Sequence, residues 1–215
     1  MNRIFTPLAV AALVMLLIAL ALGLGLRAYD IRDPHDRAAQ QWATTHRLAG
    51  VGVGLLVVLV NSIVVTYFIG TSRWCKEVVA TYSLDGELVR RSTRLKRRTF
   101  PFALASMLVV VVLIASGGAA DPGGAVQVNA RLDALRAAVH ANANTQPSDA
   151  NPTIDAPAAG NQTWANWHLA AATLGLGFIA YAFFAQGQTI SENHQVIEEV
   201  MSEVKRIRAE RGLEA

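Results

Sequence analysis

Four long apolar stretches alternate with polar segments along the 215-residue chain. The hydrocarbon core of a bilayer is about 30 Å thick, and a helix needs about 20 apolar residues to cross it. The four stretches are of that order, and none carries a charged residue in its interior. They predict membrane-spanning helices at 5–26, 46–70, 100–118 and 167–186.

The first stretch also raises the alternative of a cleaved signal peptide, because Arg3 precedes it. Its apolar run is about 20 residues long, whereas the apolar core of a signal peptide has about 7–15. No small-x-small cleavage pattern follows it. We therefore expect a retained span.

The polar segment 71–99 has helical periodicity and not the irregular pattern of a loop. Trp74, Val78 and Tyr82 recur at i, i+4 and i+8, which places them on one helix face. The sequence SLDG then interrupts the pattern, and a second short helix with Leu88 and Leu95 follows. This pattern predicts a helical hairpin that extends the second and third spans into the cytoplasm.

The tail, 187–215, continues the fourth span as a helix with a short apolar seam. The seam consists of Ile197, Val200, Val204 and Ile207, at the 3-4-3 spacing of a coiled coil. It covers less than two heptads, so we expect it to pack on the hairpin of the same chain. Early glutamates in the tail complement the positive charge of the hairpin.

The polar segment between the third and fourth spans, 119–166, divides into two parts. Val128, Leu132, Leu135 and Val139 form an apolar stripe at helical spacing, which predicts an amphipathic helix. The following part is rich in Pro, Asn, Asp and Ala, which is typical of an irregular tether. Together these elements predict an all-α fold, a four-helix transmembrane bundle with a cytoplasmic helical hairpin and a C-terminal helical extension.

The density of Lys and Arg predicts the orientation of this bundle. Arg3, the hairpin and the tail hold 13 of the 19 basic residues, and 8 of them lie in 71–100. The more basic side of a membrane protein faces the cytoplasm. We therefore expect both termini in the cytoplasm.

Composition agrees with a membrane protein and excludes several classes. The chain is 53% hydrophobic and 16% charged, whereas soluble domains are about a quarter charged. The basic residues cluster beside apolar runs, so the positive-inside rule explains them and no nucleic-acid partner is expected. One cysteine permits neither an internal disulfide nor a cysteine-ligated zinc or iron–sulfur site.

Two histidines share an unusual setting, at the outer end of a predicted span above a run of small residues. His46 precedes Gly50 and Gly54 on one helix face, and His168 precedes Ala172 and Gly175 on another. Bis-histidine haem b needs one neutral imidazole from each of two helices, at one depth, with small residues where the macrocycle meets the backbone. The cofactor hypothesis is therefore haem b held by His46 and His168. Nearby arginines available to its propionates are Arg27, Arg37 and Arg47.

Two other interpretations of these residues stay open. Gly50-x-x-x-Gly54 and Ala171-x-x-x-Gly175 are small-xxx-small patterns, which by themselves let membrane helices approach closely. Alternatively, the outer histidines and the aspartates near His35 could bind zinc or copper. The residues of that third interpretation are Asp30, Asp33, His35, Asp36, His46, His140 and His168.

Polar and charged residues elsewhere suggest supporting roles. Asn61 and Ser62 lie deep in the second span, where hydrogen bonds between helices are the expected role. The basic cluster at 90–98 is either a topology determinant or a binding site for anionic lipid head groups or a partner. No span holds an ionisable pair, so neither a transporter nor an intramembrane hydrolase is indicated, and no catalytic residue is predicted.

The segments TYFIGTSRWCKEV (66–78) and LKRRTFP (95–101), with WHLA (167–170) and the mixed-charge tail, resemble a group of bacterial four-span inner-membrane proteins of unassigned function. The resemblance implies a bacterial membrane bundle and no particular activity. The sequence thus predicts a non-enzymatic integral membrane protein, an accessory or structural subunit of a larger complex. The alternative is a b-type cytochrome with haem between the second and fourth spans, transferring electrons near the outer leaflet.

Overall fold

The computed structural model describes residues 1–28, 37–121, 132–137, 139 and 159–212. This part of the chain contains no β-strand, and a short 3-10 turn, Leu26–Ala28, follows the first helix. Its long helices are α1 (Asn2–Gly25), α2 (Arg37–Tyr82), α3 (Gly86–Ala120) and α4 (Ala159–Glu210).

The helices close into a ring in which α1 packs on α2, α2 on α3, α3 on α4 and α4 on α1. Across the centre, α2 and α4 also touch, whereas the described parts of α1 and α3 do not. Side chains of α2 and α4 can therefore meet on the bundle axis. The predicted all-α four-helix bundle is confirmed.

Many large apolar side chains lie on the outer surface of the bundle, while several interior positions hold small residues. Each helix contains a segment long and apolar enough to cross a membrane. Leu55 and Leu174 point outward and are 68% and 76% exposed, whereas small residues such as Ala12, Ala103 and Ser106 are buried. Soluble monomers rarely expose apolar patches of this extent. The distribution fits a protein whose outer surface is solvated by lipid.

The helices α2 and α3 continue beyond their apolar segments and meet in a tight turn, which defines the hairpin end of the bundle. Ser83 adopts a left-handed conformation with φ 54°. The Asp85 carboxylate caps α3 by accepting a hydrogen bond of 2.8 Å from the Glu87 amide. Within the hairpin Leu88 and Leu95 are buried, as their spacing predicts.

At the hairpin end, the residues of α2 that face the core are shifted by one position along the sequence from the predicted face. Trp74 and Val78 pack at the edge of the core, while Cys75 and Val79 fill it. Burial raises the pKa of the Cys75 thiol, because the thiolate is poorly solvated there. Since Cys75 is the single cysteine and only 1% exposed, its reaction with a thiol reagent reports opening of the fold.

The tail belongs to α4 and packs along the hairpin, as predicted, but with a shifted seam. Val196, Val200 and Val204 are buried, so Val196 takes the position that the heptad pattern assigns to Ile197. Arg91 of α3 and Glu199 of α4 form an ion pair of 2.6 Å. This pair provides the charge complementarity expected between the hairpin and the tail.

The segment between α3 and α4 lies mostly outside the described residues. Residues 132–137 and 139 are helical, in agreement with the predicted amphipathic helix. Val128 falls outside the described residues. The helix α4 begins at Ala159, within the segment predicted to be an irregular tether.

Two glycines on α4 provide a matched test of packing against α3. A Cβ at Gly175 would lie 3.0 Å from Val109 Cγ1 and 3.2 Å from Leu113 Cδ1, whereas one at Gly177 would meet open space. We expect Gly175→Val to destabilise the fold by about 1–3 kcal/mol through overpacking, and Gly177→Val to have little effect. The measurement is the rate of Cys75 labelling in detergent at increasing denaturant. Equal labelling rates for the two variants would contradict the packing.

Candidate functional site

The imidazoles of His46 on α2 and His168 on α4 face each other at the end of the bundle opposite the hairpin, which we name the histidine end. Their ring centres are 6.3 Å apart, and their planes make an angle of 76°. The two helices are the ones that touch across the bundle centre. The structure therefore brings together the two histidines that the sequence singles out.

His46 is held by a hydrogen bond to the neighbouring helix. Its Nδ1 lies 3.0 Å from the Ala19 carbonyl oxygen of α1. A carbonyl only accepts, so Nδ1 carries the proton and donates it. The tautomer is thereby set, and Nε2 is left with a lone pair.

His168 is held in the same way by the helix next to it. Its Nδ1 lies 3.0 Å from the Ser116 hydroxyl oxygen of α3. That hydroxyl also lies 3.1 Å from the Leu113 carbonyl oxygen, and when it donates there it accepts from His168 Nδ1. In that arrangement His168 also presents an Nε2 lone pair. Within the described residues the structure records no hydrogen bond to either Nε2 atom.

Glycines on the neighbouring helices give both rings their space. A Cβ at Gly23 of α1 would lie 2.9 Å from His46 Cε1, and one at Gly117 of α3 would lie 3.1 Å from His168 Cε1. A larger residue at either position would push the ring away. Sequence periodicity did not indicate Gly23, Gly117 or Ser116, because each belongs to a helix other than that of its histidine.

Two of the four small residues predicted below the histidines pack against α3. Gly54 packs against Val110 and Ile114 of α3, and Gly175 packs against Val109 and Leu113 of the same helix. A Cβ at Gly50 would contact nothing, and Ala172 is half-buried on α4. Gly54 and Gly175 are thus helix-packing positions, as the small-xxx-small interpretation expects.

Two arginines cross-link helices at the histidine end. Arg47 of α2 forms an ion pair of 3.0 Å with Asp121, directly after α3. Arg27 donates a hydrogen bond of 2.6 Å to the Asn166 side chain of α4. Arg37 is the first residue of α2. Arg27 and Arg47 therefore lie at the histidine end, with the charge of Arg47 balanced by Asp121.

The described residues contain no group of three or more His, Cys, Asp or Glu side chains that could hold a metal ion. The zinc or copper interpretation depends on further residues outside the described ranges, namely Asp30, Asp33, His35, Asp36 and His140. It stays a prediction. The described pair by itself supplies two imidazoles.

A second polar feature lies in the core toward the hairpin end. The buried Gln186 side-chain amide of α4 donates to Asn61 Oδ1 of α2 at 2.9 Å. The predicted interhelical role of Asn61 is confirmed, while Ser62 is exposed. The Oε1 atom of Gln186 is buried without a partner in the described residues.

Asn193 extends this polar core and ties three helices together. Its amide donates to the Tyr67 and Thr71 hydroxyl oxygens of α2, at 3.1 Å each. Its Oδ1 accepts from Ser92 of α3 at 3.3 Å. The 3-4 spacing of Gln186, Thr189 and Asn193 on one face of α4 was the available sequence signal, and it was missed.

The chain matches no protein-family model, and comparison with curated proteins and with solved structures found no similar protein. The resemblance to bacterial four-span membrane proteins therefore stays a prediction.

Asn193 provides a test of the polar core. We expect Asn193→Leu to destabilise the fold by about 1–3 kcal/mol, because it removes the three side-chain hydrogen bonds that Asn193 makes to α2 and α3. The neighbouring Gln195→Leu replaces an exposed amide and serves as the control. Labelling of Cys75 against denaturant measures both. A Gln195 variant as unstable as the Asn193 variant would refute a specific role for this network.

Proposed function

We propose that the protein is a b-type cytochrome in which His46 and His168 are the axial ligands of one haem. The observation that carries the proposal is the pair of opposed imidazoles on α2 and α4, 6.3 Å apart between ring centres. Each Nδ1 is hydrogen-bonded to a neighbouring helix, and neither Nε2 has a hydrogen-bond partner among the described residues, so both are available to a ligand.

The distance supports a shared iron. Each metal–nitrogen bond is about 2 Å long and each ring centre lies about 1 Å beyond its nitrogen, so two axial imidazoles have centres about 6 Å apart. Direct contact between aromatic rings covers an overlapping range of about 4.5–7 Å. The distance alone fits both arrangements. The two Nε2 atoms, which have no hydrogen-bond partner among the described residues, favour the iron.

The number of ligands favours haem over a bare metal ion. Structural zinc sites take four protein ligands, and catalytic sites take three. The described residues bring together only two imidazoles here. A haem supplies four in-plane nitrogens of its own and requires only axial ligands from the protein. Hydrogen bonds from Nδ1 to a neighbouring group are the usual support for a ligating histidine.

The arrangement of the helices indicates how the plane of the haem macrocycle would be oriented. A plane perpendicular to the line from α2 to α4 extends toward α1 and α3, and these two helices do not touch in the described residues. On those helices Gly23 and Gly117 lie beside the rings, and the imidazoles themselves occupy the space that a Cβ at either glycine would take. Arg27 and Arg47 would face the propionates, as the sequence suggests. The spaces beside Gly54 and Gly175 are filled by α3 and would not hold the ring.

A haem with two histidine ligands supplies one-electron transfer and leaves no open iron position. In this chain α2 and α4 hold the two axial groups, while Ala19 and Ser116 fix their orientation. The site lies at one end of the bundle, so electrons would reach and leave it from that side. We therefore propose an electron-transfer subunit that works with partner subunits at the histidine end. Such a cytochrome would also be an accessory subunit of a larger complex.

Orientation completes the proposal. The hairpin end carries most of the basic residues, so the positive-inside rule places it in the cytoplasm. The histidine end would then lie near the outer leaflet of a bacterial inner membrane. Lipid would surround the four spans, and its anionic head groups would meet the basic hairpin.

Colour and haem content test the function. Protein purified from native membranes is expected to show a Soret band and one haem per chain. His46→Ala and His168→Ala are each expected to abolish six-coordinate haem binding. His194→Ala, which changes an exposed histidine on the same helix as His168, is expected to keep it. Protection of Cys75 from labelling confirms that each variant remains folded.

The angle between the rings gives a second readout. The planes of the two imidazoles make an angle of 76°. Axial ligands at this angle would make the two π-symmetry orbitals of the iron nearly degenerate. The oxidised haem is therefore expected to give a highly anisotropic low-spin electron paramagnetic resonance signal. Colourless native protein with a protected Cys75 would refute the cytochrome and leave the accessory-subunit proposal. A haem retained unchanged in both histidine variants would place the ligands elsewhere.

Reporter fusions test the orientation. Alkaline phosphatase inserted in the turn at Leu84 is expected to be inactive, and a fusion after Asp121 is expected to be active, because the enzyme requires export. Green fluorescent protein at the same positions should give the opposite pattern. Activity of the phosphatase at Leu84 would reverse the proposed sidedness.

A further inference from the structure

A basic groove runs along α3 at the hairpin end. It is lined by Arg90, Thr93, Arg94 and Arg97, with Val89 beside them. These residues follow one another at i, i+3, i+4 and i+7, so they occupy one face of the helix. All three arginines are exposed.

The same helix face continues as an apolar stripe. Leu104, Leu108 and Val111 follow Arg97 at 7, 11 and 14 positions along α3. They are 59%, 64% and 58% exposed, so they face outward along the segment long and apolar enough to cross a membrane. The basic groove therefore stands directly in line with a surface that lipid tails would cover.

The spacing along α3 matches the depth of a lipid head group. If the apolar span begins at Phe100, a rise of about 1.5 Å per residue places Arg97 about 5 Å and Arg94 about 9 Å beyond it. Polar head groups extend about 5–8 Å beyond the hydrocarbon core on each side. Arginine side chains are long enough to reach from both positions into this layer.

Two of the arginines keep their charge available. Arg90 is paired with Glu87 at 2.7 Å. Neither Arg94 nor Arg97 forms an ion pair with a described residue in the structure. Guanidinium groups bind phosphate oxygens through paired hydrogen bonds, so the groove presents two free phosphate-binding groups.

We propose that this face of α3 binds an anionic phospholipid from the leaflet at the hairpin end. Arg94 and Arg97 bind the phosphate, and Thr93 offers a hydroxyl beside it. The acyl chains lie along Leu104, Leu108 and Val111. The combination of a basic groove with a collinear apolar stripe favours a lipid over a soluble phosphate or a nucleic acid. The site does not depend on the proposed haem.

Lipid binding to the full chain tests the proposal. The protein in a nonionic detergent is titrated with dioleoyl phosphatidylglycerol or dioleoyl phosphatidylcholine, and native mass spectrometry counts the bound molecules. We expect preferential binding of phosphatidylglycerol. Arg94→Gln/Arg97→Gln should weaken that binding about thirtyfold, because two cations no longer attract the anionic head group. Neither change removes an ion pair, so the fold should be retained.

The matched control removes the same charge farther along the chain. Lys205→Gln/Arg211→Gln changes exposed residues near the end of α4 and is expected to keep the preference for phosphatidylglycerol. Equal losses in the two double variants, or no loss in either, would overturn the proposed site. Displacement of phosphatidylglycerol by an equal concentration of inorganic phosphate would also overturn it, because the groove would then bind anions without the lipid chains.

Discussion

The structure depends on the fact that a lipid bilayer provides no hydrophobic force to hold helices together. Lipid tails are as apolar as leucine, so membrane helices associate through close packing and hydrogen bonds. The chain follows this constraint, because Ala12, Ala103 and Ser106 are buried while Leu55 and Leu174 face outward. Its interior is therefore built from small and polar side chains, with valines and a few aromatic rings between them.

The same constraint explains why the histidine pair is informative. A polar group at the edge of the apolar layer needs a partner, and each Nδ1 has one on the adjacent helix. Within the described residues the structure records no hydrogen bond to either Nε2 atom. The pair is therefore the place where the proposed haem iron would bind.

Much of the fold follows from periodicity, because the period of apolar residues along one helix is a local property. The bundle and the hairpin with buried Leu88 and Leu95 were predictable for this reason. The two histidines were singled out by their matching depth at the outer ends of two spans. What the sequence could not supply is the pairing between helices. Gly23, Gly117 and Ser116 act on residues of other helices, and the shift from Ile197 to Val196 depends on how α4 rotates against its neighbours.

The uninterrupted length of α4 has a mechanical consequence. From Gln186, at the end of the apolar span, the helix continues to Glu210, a distance of about 36 Å at about 1.5 Å per residue. Packing of this extension against the hairpin makes it a stiff spacer rather than a tether. A protein bound at the end of α4 would be held at a fixed distance from the bilayer. Tilting of the bundle in the membrane would move that protein sideways.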